Sequence, residues 1–521
     1  MLRHVPLCIL LLAAPAASAA TLRVPQDHKS VQAAVDAASS GDTVLVSAGR
    51  YPERLTLRAG ITVRSEGDDT KGTVGLKRAE AAILDGGGKA GEQPGIVMAE
   101  GSTLDGFTVT NVGVYDDDLW KKHHATHGEE LGDDEGAVQA EGTTAAVSIK
   151  GVNCTVSNCI VHHNGDVGIG VIGKADRAIS PVIEGNTSYR NLGGGIGVAD
   201  HAQAIVRGNT CYENLRAGIG CRNASPLILD NVCHHNVRAG IGNREKARSV
   251  IRGNKCYLNR RAGIGIRMEG TAPIVEHNEC YENDMAGIGC RDGASPIIRD
   301  NKCLKNKMAG IGCDGASPQI IGNDCRENAM SGIGLRGKGS ATVANNTCVE
   351  NQLVAIGVTD GSTALITGNR LSRTGGMPPL IAIKDGSIAT VLKNTLEGGG
   401  VAAVLVQGNA TISGNTFKGV GDKQGNAVWV WEGSDVTVHA NTFNGYRAAV
   451  NASKAKVIIT ANSISGFSGA AIIVRDSSAP ANVHGNTAVS SDAKARVIDL
   501  LGALGVVGEN VIRQEAAQSP K

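Results

Sequence analysis

Aromatic residues make up only 3% of this 521-residue chain, and it has fourteen prolines against seventy glycines. That balance suits many tight turns and slim strands. The glycines follow no period of three, which excludes collagen. Charge of one sign is also missing. The 51 Lys and Arg face 50 Asp and Glu, for a net +1, so no nucleic-acid partner is implied. Attraction to a charged ligand must come from local patterning. After the first twenty residues no run of eighteen apolar side chains occurs, so no permanent membrane anchor is expected. Residues 1–19 read as a secretory signal. Arg3 and His4 form the basic start, Val5 to Ala14 the apolar run, and Ala17-Ser18-Ala19 the cleavage site. The mature protein is therefore expected to be exported, to a periplasm, a cell surface or the medium.

What the chain does have is a repeat. Between Asn186 and Asn351 the phrase Asn-x-Cys-Tyr-x-Asn-x-x-Ala-Gly-Ile-Gly recurs eight times, as in GNTCYENLRAGIG, GNKCYLNRRAGIG and DNKCLKNKMAGIG. Its first asparagines are Asn186, Asn209, Asn231, Asn254, Asn278, Asn301, Asn323 and Asn346, a step of 22 to 24 residues. A period of that length means stacked coils, which grow in one dimension without needing a new core centre. Three short strands per coil fit the pattern: Pro296–Ile298, Lys302–Leu304 and Gly310–Asp314 in one copy. Alternation along them turns Ile298, Asn301, Cys303, Asn306, Ile311 and Cys313 inward. Stacked inward asparagines can hydrogen-bond one another and the turns. The asparagines continue without cysteine through Asn369, Asn394, Asn415, Asn441, Asn462, Asn486 and Asn510. One solenoid of residues 20–513 follows, with 514–521 as a disordered tail. A propeller would need longer repeats.

Four features could carry chemistry. Cys211, Cys233, Cys256, Cys280, Cys303, Cys325 and Cys348 form one column, with Cys221, Cys290 and Cys313 in a second. They read as stacked buried thiols or as disulfides between coils, since neighbouring Cα atoms fall within disulfide range. Outward glycines, including Gly220, Gly242, Gly265 and Gly334, leave a bare strand face where a ligand can approach the backbone. Beside it run Arg222, Arg244, Arg267, Arg291 and Arg336, with Arg216, Arg238, Arg260 and Arg261 in the preceding turn. Like charges at coil spacing need counter-charges, from a linear polyanion or from local acids. Tyr189, Tyr212, His234, Tyr257 and Tyr281 form an outward ladder suited to mutual packing or to sugar stacking. Finally, residues 114–136 read as a long charged loop, with Asp116, Asp118, His123 and His127 as candidate ligands for a divalent cation such as calcium. The segment GAVQAEG after it aligns with the Gly-Ile-Gly strand.

The mature N-terminus carries a further pattern: VP, the helical face of SVQAAVDAA over residues 30–39, GDTVLV, then G-x-Y-x-E. This resembles the opening module of right-handed parallel β-helices, as in NosD-type and pectin-lyase-like proteins. The whole mature chain is similar to that superfamily, including its carbohydrate-binding and sugar-hydrolysis type repeats. The resemblance implies an all-β, single-stranded right-handed parallel β-helix whose open end is plugged by the 30–39 helix. It also implies that the Gly-Ile-Gly-x-Arg strand lines a polysaccharide groove. The N-T-D-G, D-P-H and R-x-x-P-x-x-R motifs of its polygalacturonases, epimerases and pectate lyases are not found. Lyase or epimerase chemistry on a uronate would need a base, a proton donor and a charge neutraliser. Asp200, His201 and Arg222 are the candidates. Other readings are a NosD-like periplasmic accessory factor for metalloenzyme assembly and a non-catalytic surface scaffold docking a protein partner.

Overall fold

The computed structural model describes residues 19–89, 91, 93–126, 144–421, 424–490 and 496–514. The expected signal of residues 1–19, save residue 19, and the expected tail of 514–521, save Gln514, which ends the strand Val511–Gln514, lie outside them. The described chain winds through three parallel sheets of 20, 19 and 18 strands. The first sheet runs from Thr21–Val24 to Gly505–Gly508, the second from Gly49–Tyr51 to Val511–Gln514, and the third from Leu55–Thr56 to Arg496–Leu501. Each strand pairs in register with its counterpart one coil away, as Ile298 does with Val275 and Ile320. This is the expected solenoid, about twenty coils stacked at about 4.8 Å. Its first rung is Thr21–Val24 on Thr43–Val46.

One coil shows why the sequence folds this way. Its strands are Ile297–Arg299, Lys302–Leu304 and Ile311–Asp314. Asp300 and Lys305, at φ 55° and 53°, break the strand direction just before Asn301 and Asn306. Gly185, Gly208, Gly253 and Gly322 take the equivalent place before their asparagines, at φ 62° to 70°. A left-handed residue favours Gly, Asn or Asp, which explains the GN and DN pairs of the repeat. The asparagine then turns inward. Asn301 Nδ2 donates to Asn323 Oδ1 at 2.9 Å and to the Val275 carbonyl at 2.9 Å, and Asn301 Oδ1 accepts from Asn278 Nδ2 at 2.9 Å. The chain of such bonds is unbroken from Asn186 to Asn510. A second ladder runs from Asn164 to Asn351 at the other corner. Every buried amide on these ladders is satisfied, so polar groups hold the corners without a desolvation penalty.

Among the described residues three helices interrupt the winding. α1 (Val31–Ala37) is capped by Ser30 and buries Val31, Ala34 and Val35 against the first coils, as the plug the resemblance implied. α2 (Lys77–Ala81) buries Arg78, whose guanidinium meets Asp105 at 2.8 Å and Asp69 at 2.7 Å. α3 (Asp117–Ala125) corrects the expectation of a loop from residue 114. Asp116 caps it, accepting from the Leu119 N–H at 2.9 Å, and the apolar side of Leu-Trp-Lys-Lys-His supplies a tertiary anchor. Trp120 packs with Leu215 and Val237, donates its indole N–H to the Glu213 carbonyl at 2.7 Å, and lies under the Arg190 guanidinium. The strand that fills the third-sheet place in this coil is Val147–Lys150. It lies beyond the GAVQAEG segment expected there, all of which is outside the described residues.

The cysteine columns point inward. Cys211 through Cys348 pair rung to rung, and all twelve described cysteines are buried and free. Parallel neighbours in one column hold their side chains side by side, so the thiols fill the narrow core as small apolar groups. Burial pushes Cys159 up to about 12 and Cys221 up to about 11. Thiols held protonated in this way are inert.

Candidate functional site

The outward face of the third sheet carries the floor read from the sequence. Gly170, Gly197, Gly220, Gly242, Gly265, Gly289, Gly312, Gly334 and Gly357 pair with one another in an unbroken column. The two glycines of each Gly-Ile-Gly do different work. At the first, packing forbids a side chain. A Cβ on Gly218, Gly240 or Gly263 would lie 2.7 to 2.8 Å from the carbonyl of the next coil and 2.9 Å from an asparagine Nδ2. At the second, nothing in the packing asks for glycine from Gly197 to Gly312, whereas a Cβ on Gly170 or Gly334 would lie 2.8 Å from Ala145 Cβ or Ser331 Oγ. A Cβ on Gly220 would meet nothing within 4 Å, and on Gly242 or Gly265 only an alanine Cβ at 3.7 or 3.6 Å. None of these second glycines has a positive φ. From Gly197 to Gly312 the bare face is therefore a property of the sequence that the fold itself does not require.

The arginines beside this floor have local acids next to them, one of the two sources of counter-charge the sequence left open. Arg222 lies 3.4 Å from Asp200 and 4.0 Å from Glu245, Arg244 3.4 Å from Glu245, and Arg291 3.3 Å from Asp292. Asp314 occupies a rung of the column itself, between Arg291 and Arg336, and meets Arg336 at 2.8 Å. Arg260 meets Asp284 at 3.4 Å. Arg216, Arg238, Arg261 and Arg267 also make intramolecular contacts. Arg238 is only 2% exposed, so its guanidinium is not offered to a ligand on the floor. Local acids thus supply the counter-charges for much of the column. The sequence signal was present in Asp200, Glu245, Asp292 and Asp314, one rung away or adjacent, but only the register places them.

The aromatic ladder packs on itself. His162, Tyr189, Tyr212, His234, Tyr257 and Tyr281 stack at 4.8 to 5.0 Å with interplanar angles of 1° to 24°. Ring faces are used up by the neighbouring rings, leaving edges to solvent, so the ladder offers no platform for a sugar. Burial, then the adjacent imidazole, pulls His162 and His234 down to about 4. Both are neutral at pH 7, and the stack adds no charge to the surface.

The three described candidate cation ligands, Asp116, Asp118 and His123, do not gather into a metal site. Asp116 is occupied as the α3 cap, Asp118 projects into solvent beside Lys121, and His123 is buried in the helix packing. His127 lies outside the described residues. Among the described residues no group of three or more His, Cys, Asp or Glu gathers as a metal site.

Asp200, His201 and Arg222 do come together. Asp200 and His201 form a left-handed corner, at φ 52° and 69°, and Asp200 is held on Arg222. His201 lines an open cleft of 350 Å³ with Lys174, Gln203, Asn223, Ser225 and Lys246. Trp429 and Trp431 were not anticipated. Register puts Trp429 in the column that Gly220 and Gly357 occupy, after Ala382 and Leu405. Trp431 is 40% exposed and meets the Trp429 ring at 5.3 Å.

The sequence matches the family profile described as right handed beta helix region over residues 94–264, 170–324 and 314–443. The chain belongs to that family of right-handed β-helix proteins. Solved structures with a similar path include the periplasmic alginate epimerase AlgG, at 12% identity and TM-score 0.33, over 69% of this chain and 77% of that one. A GH87 α-1,3-glucanase catalytic domain matches at 10% identity and TM-score 0.38, over 68% and 66%. The tailspike gp49 of the Acinetobacter baumannii bacteriophage Fri1, a capsular polysaccharide depolymerase, matches at 10% and 0.30, over 77% and 61%. Likeness at this level concerns the fold alone. No curated protein matches the sequence.

Proposed function

We propose that this is an exported β-helix protein that binds a linear polysaccharide of anionic type along the outward face of its third sheet. The observation that carries the reading is the second-glycine column, bare over the six successive coils from Gly197 to Gly312 where packing would accept a side chain. Glycine in a strand costs about 0.5–1 kcal/mol against alanine, so a column kept bare without a packing reason suits close approach by a ligand. A polymer fits a face that repeats every coil, because many weak contacts act together. The flanking guanidinium–carboxylate pairs are solvent-exposed and individually worth about 0–1 kcal/mol, so an acidic polymer can compete for the arginines.

The test is Gly220→Ala, Gly242→Ala and Gly265→Ala combined, followed by affinity electrophoresis through polyuronate, sulfated galactan and neutral glucan at two ionic strengths. The native chain should be retarded by the acidic polymers, less so at high salt. The triple variant should fold and lose most of the retardation. Equal retardation of both proteins, or none of the native protein, defeats the floor as a binding face.

A further inference from the structure

The cleft at the corner between the third and first sheets differs in charge from the rest of that edge. Arg222, Arg244, Arg291 and Arg336 each face a carboxylate. Lys174, His201 and Lys246 do not: among the described residues their side chains have neither an ion pair nor a hydrogen-bond partner, and no carboxylate lines the cleft. The remaining polar walls are Gln203, Asn223 and Ser225, which offer amide and hydroxyl donors. Arg248, likewise without an ion pair, lies one coil beyond Ser225 at the equivalent place. Its N–H donates to Ala224 O at 3.0 Å, just as the Ser225 N–H donates to Ala202 O.

Local geometry explains the convergence. His201, Asn223 and Lys246 all sit in left-handed turns, at φ 69°, 46° and 68°, on three successive coils. Such turns bring side chains of neighbouring coils to the same corner about 4.8 Å apart. The Lys174 stem closes the N-terminal side, lying over the backbone of Gly151. Like charges gathered without counter-ions repel one another, and a bound oxyanion relieves that repulsion while accepting from the amide and hydroxyl donors.

We propose that this cleft is an oxyanion site that seats the carboxylate or sulfate group of an acidic saccharide. It narrows the reading above to a substrate class and depends on that reading only for the saccharide. In it, Lys174 and Lys246 bind the anion, His201 and Asn223 orient it, and Asp200 keeps Arg222 turned away to the floor edge. The volume of 350 Å³ accepts about one sugar ring, so short oligosaccharides suffice to fill it.

The experiment is calorimetric titration of the full chain with tetragalacturonate, a sulfated galactan tetrasaccharide, cellotetraose and inorganic phosphate. The same titrations are run on Lys174→Gln/Lys246→Gln and on Arg326→Gln/Arg370→Gln, two exposed arginines on the second sheet, away from the cleft and the floor. Both acidic tetrasaccharides should bind the native chain, and the lysine variant should bind them about tenfold more weakly. The arginine variant should match the native chain, and cellotetraose should bind none of the proteins. Affinity of the lysine variant within twofold of native overturns the proposal, as does equal binding of cellotetraose. Binding of phosphate without either tetrasaccharide overturns the saccharide assignment. If the tetrasaccharides bind as expected but polyuronate fails to retard the native chain, the floor reading falls and the cleft stands. Circular dichroism of both variants, all at exposed positions, checks that the fold is intact.

Discussion

The coils before and after residue 358 solve the same packing problem with different side chains. In Asn209–Gly357 the inward place of the second sheet holds cysteine, both corners hold asparagine ladders, and the outward third-sheet column is glycine. In the later coils the same inward column reads Leu371, Leu396, Phe417, Phe443, Ile464 and Ala488. The second ladder ends at Asn351, whose carbonyl is taken by the guanidinium of the buried Arg373. The outward column becomes Ala382, Leu405, Trp429, Asn451 and Ile473. Only the first ladder is common to both halves. That ladder and the left-handed residue before it are therefore what the winding requires, while cysteine, the second ladder and the bare floor are local choices.

Four tests sharpen this comparison. The largest effect is expected from the later core: Phe417→Ala should lower stability by about 3–5 kcal/mol, against about 1 for Cys303→Ala, because the cavity scales with the atoms removed. Urea midpoints that fall equally in both would show the two columns to be equivalent. Next is the shared ladder. Asn301→Leu strands the amide of Asn278 and frees the Val275 carbonyl, for about 1–3 kcal/mol, and Asn441→Leu should cost as much in the other half. An unchanged midpoint in either would break the claim that this ladder is general.

Within one Gly-Ile-Gly the two glycines should respond with opposite sign. Gly263→Ala drives a Cβ to 2.7 Å from the Gly287 carbonyl and should destabilise. Gly265→Ala finds its nearest neighbour at 3.6 Å and should stabilise by about 0.5–1 kcal/mol. Thermal denaturation decides, and a loss at both positions would return the floor to a packing role. The smallest effect concerns acid. His234 is pulled below its ordinary value, so the neutral ring is the form the fold prefers. Its contribution is complete above the unfolded value near 6.5 and fades as pH falls toward about 4. His234→Tyr, which matches Tyr212 and Tyr257 on either side, should flatten the loss of Tm between pH 7 and 4.5. Identical pH profiles would remove His234 from the account.

Much of this was legible in the residues. The spacing of Asn186 through Asn510, the GN and DN pairs and the alternation around Cys303 suffice to define coil length, inward faces and corners, because each coil repeats the same local constraints. The glycine column was legible for the same reason. The α3 helix was not. Its Asp116 cap and Leu119-Trp120 face are short signals inside a charged segment, and Trp120 finds its partners Leu215 and Val237 about a hundred residues later. Trp429 was also missed, since it belongs to no repeated phrase and only register aligns it with Gly220.

Sequence alone thus determined the solenoid, its three-strand coil, its buried asparagines and thiols, and the bare second glycine, all of which follow from rules that act within one coil or between identical neighbours. Tertiary structure decided which charges meet. Whether Arg222 faces a ligand or Asp200, and whether Lys174, His201 and Lys246 converge without a carboxylate, depends on distances between unlike residues on different coils. Charge pairing is set by a few ångströms of separation, and a periodic sequence specifies rung and column but not the reach of a long side chain across them.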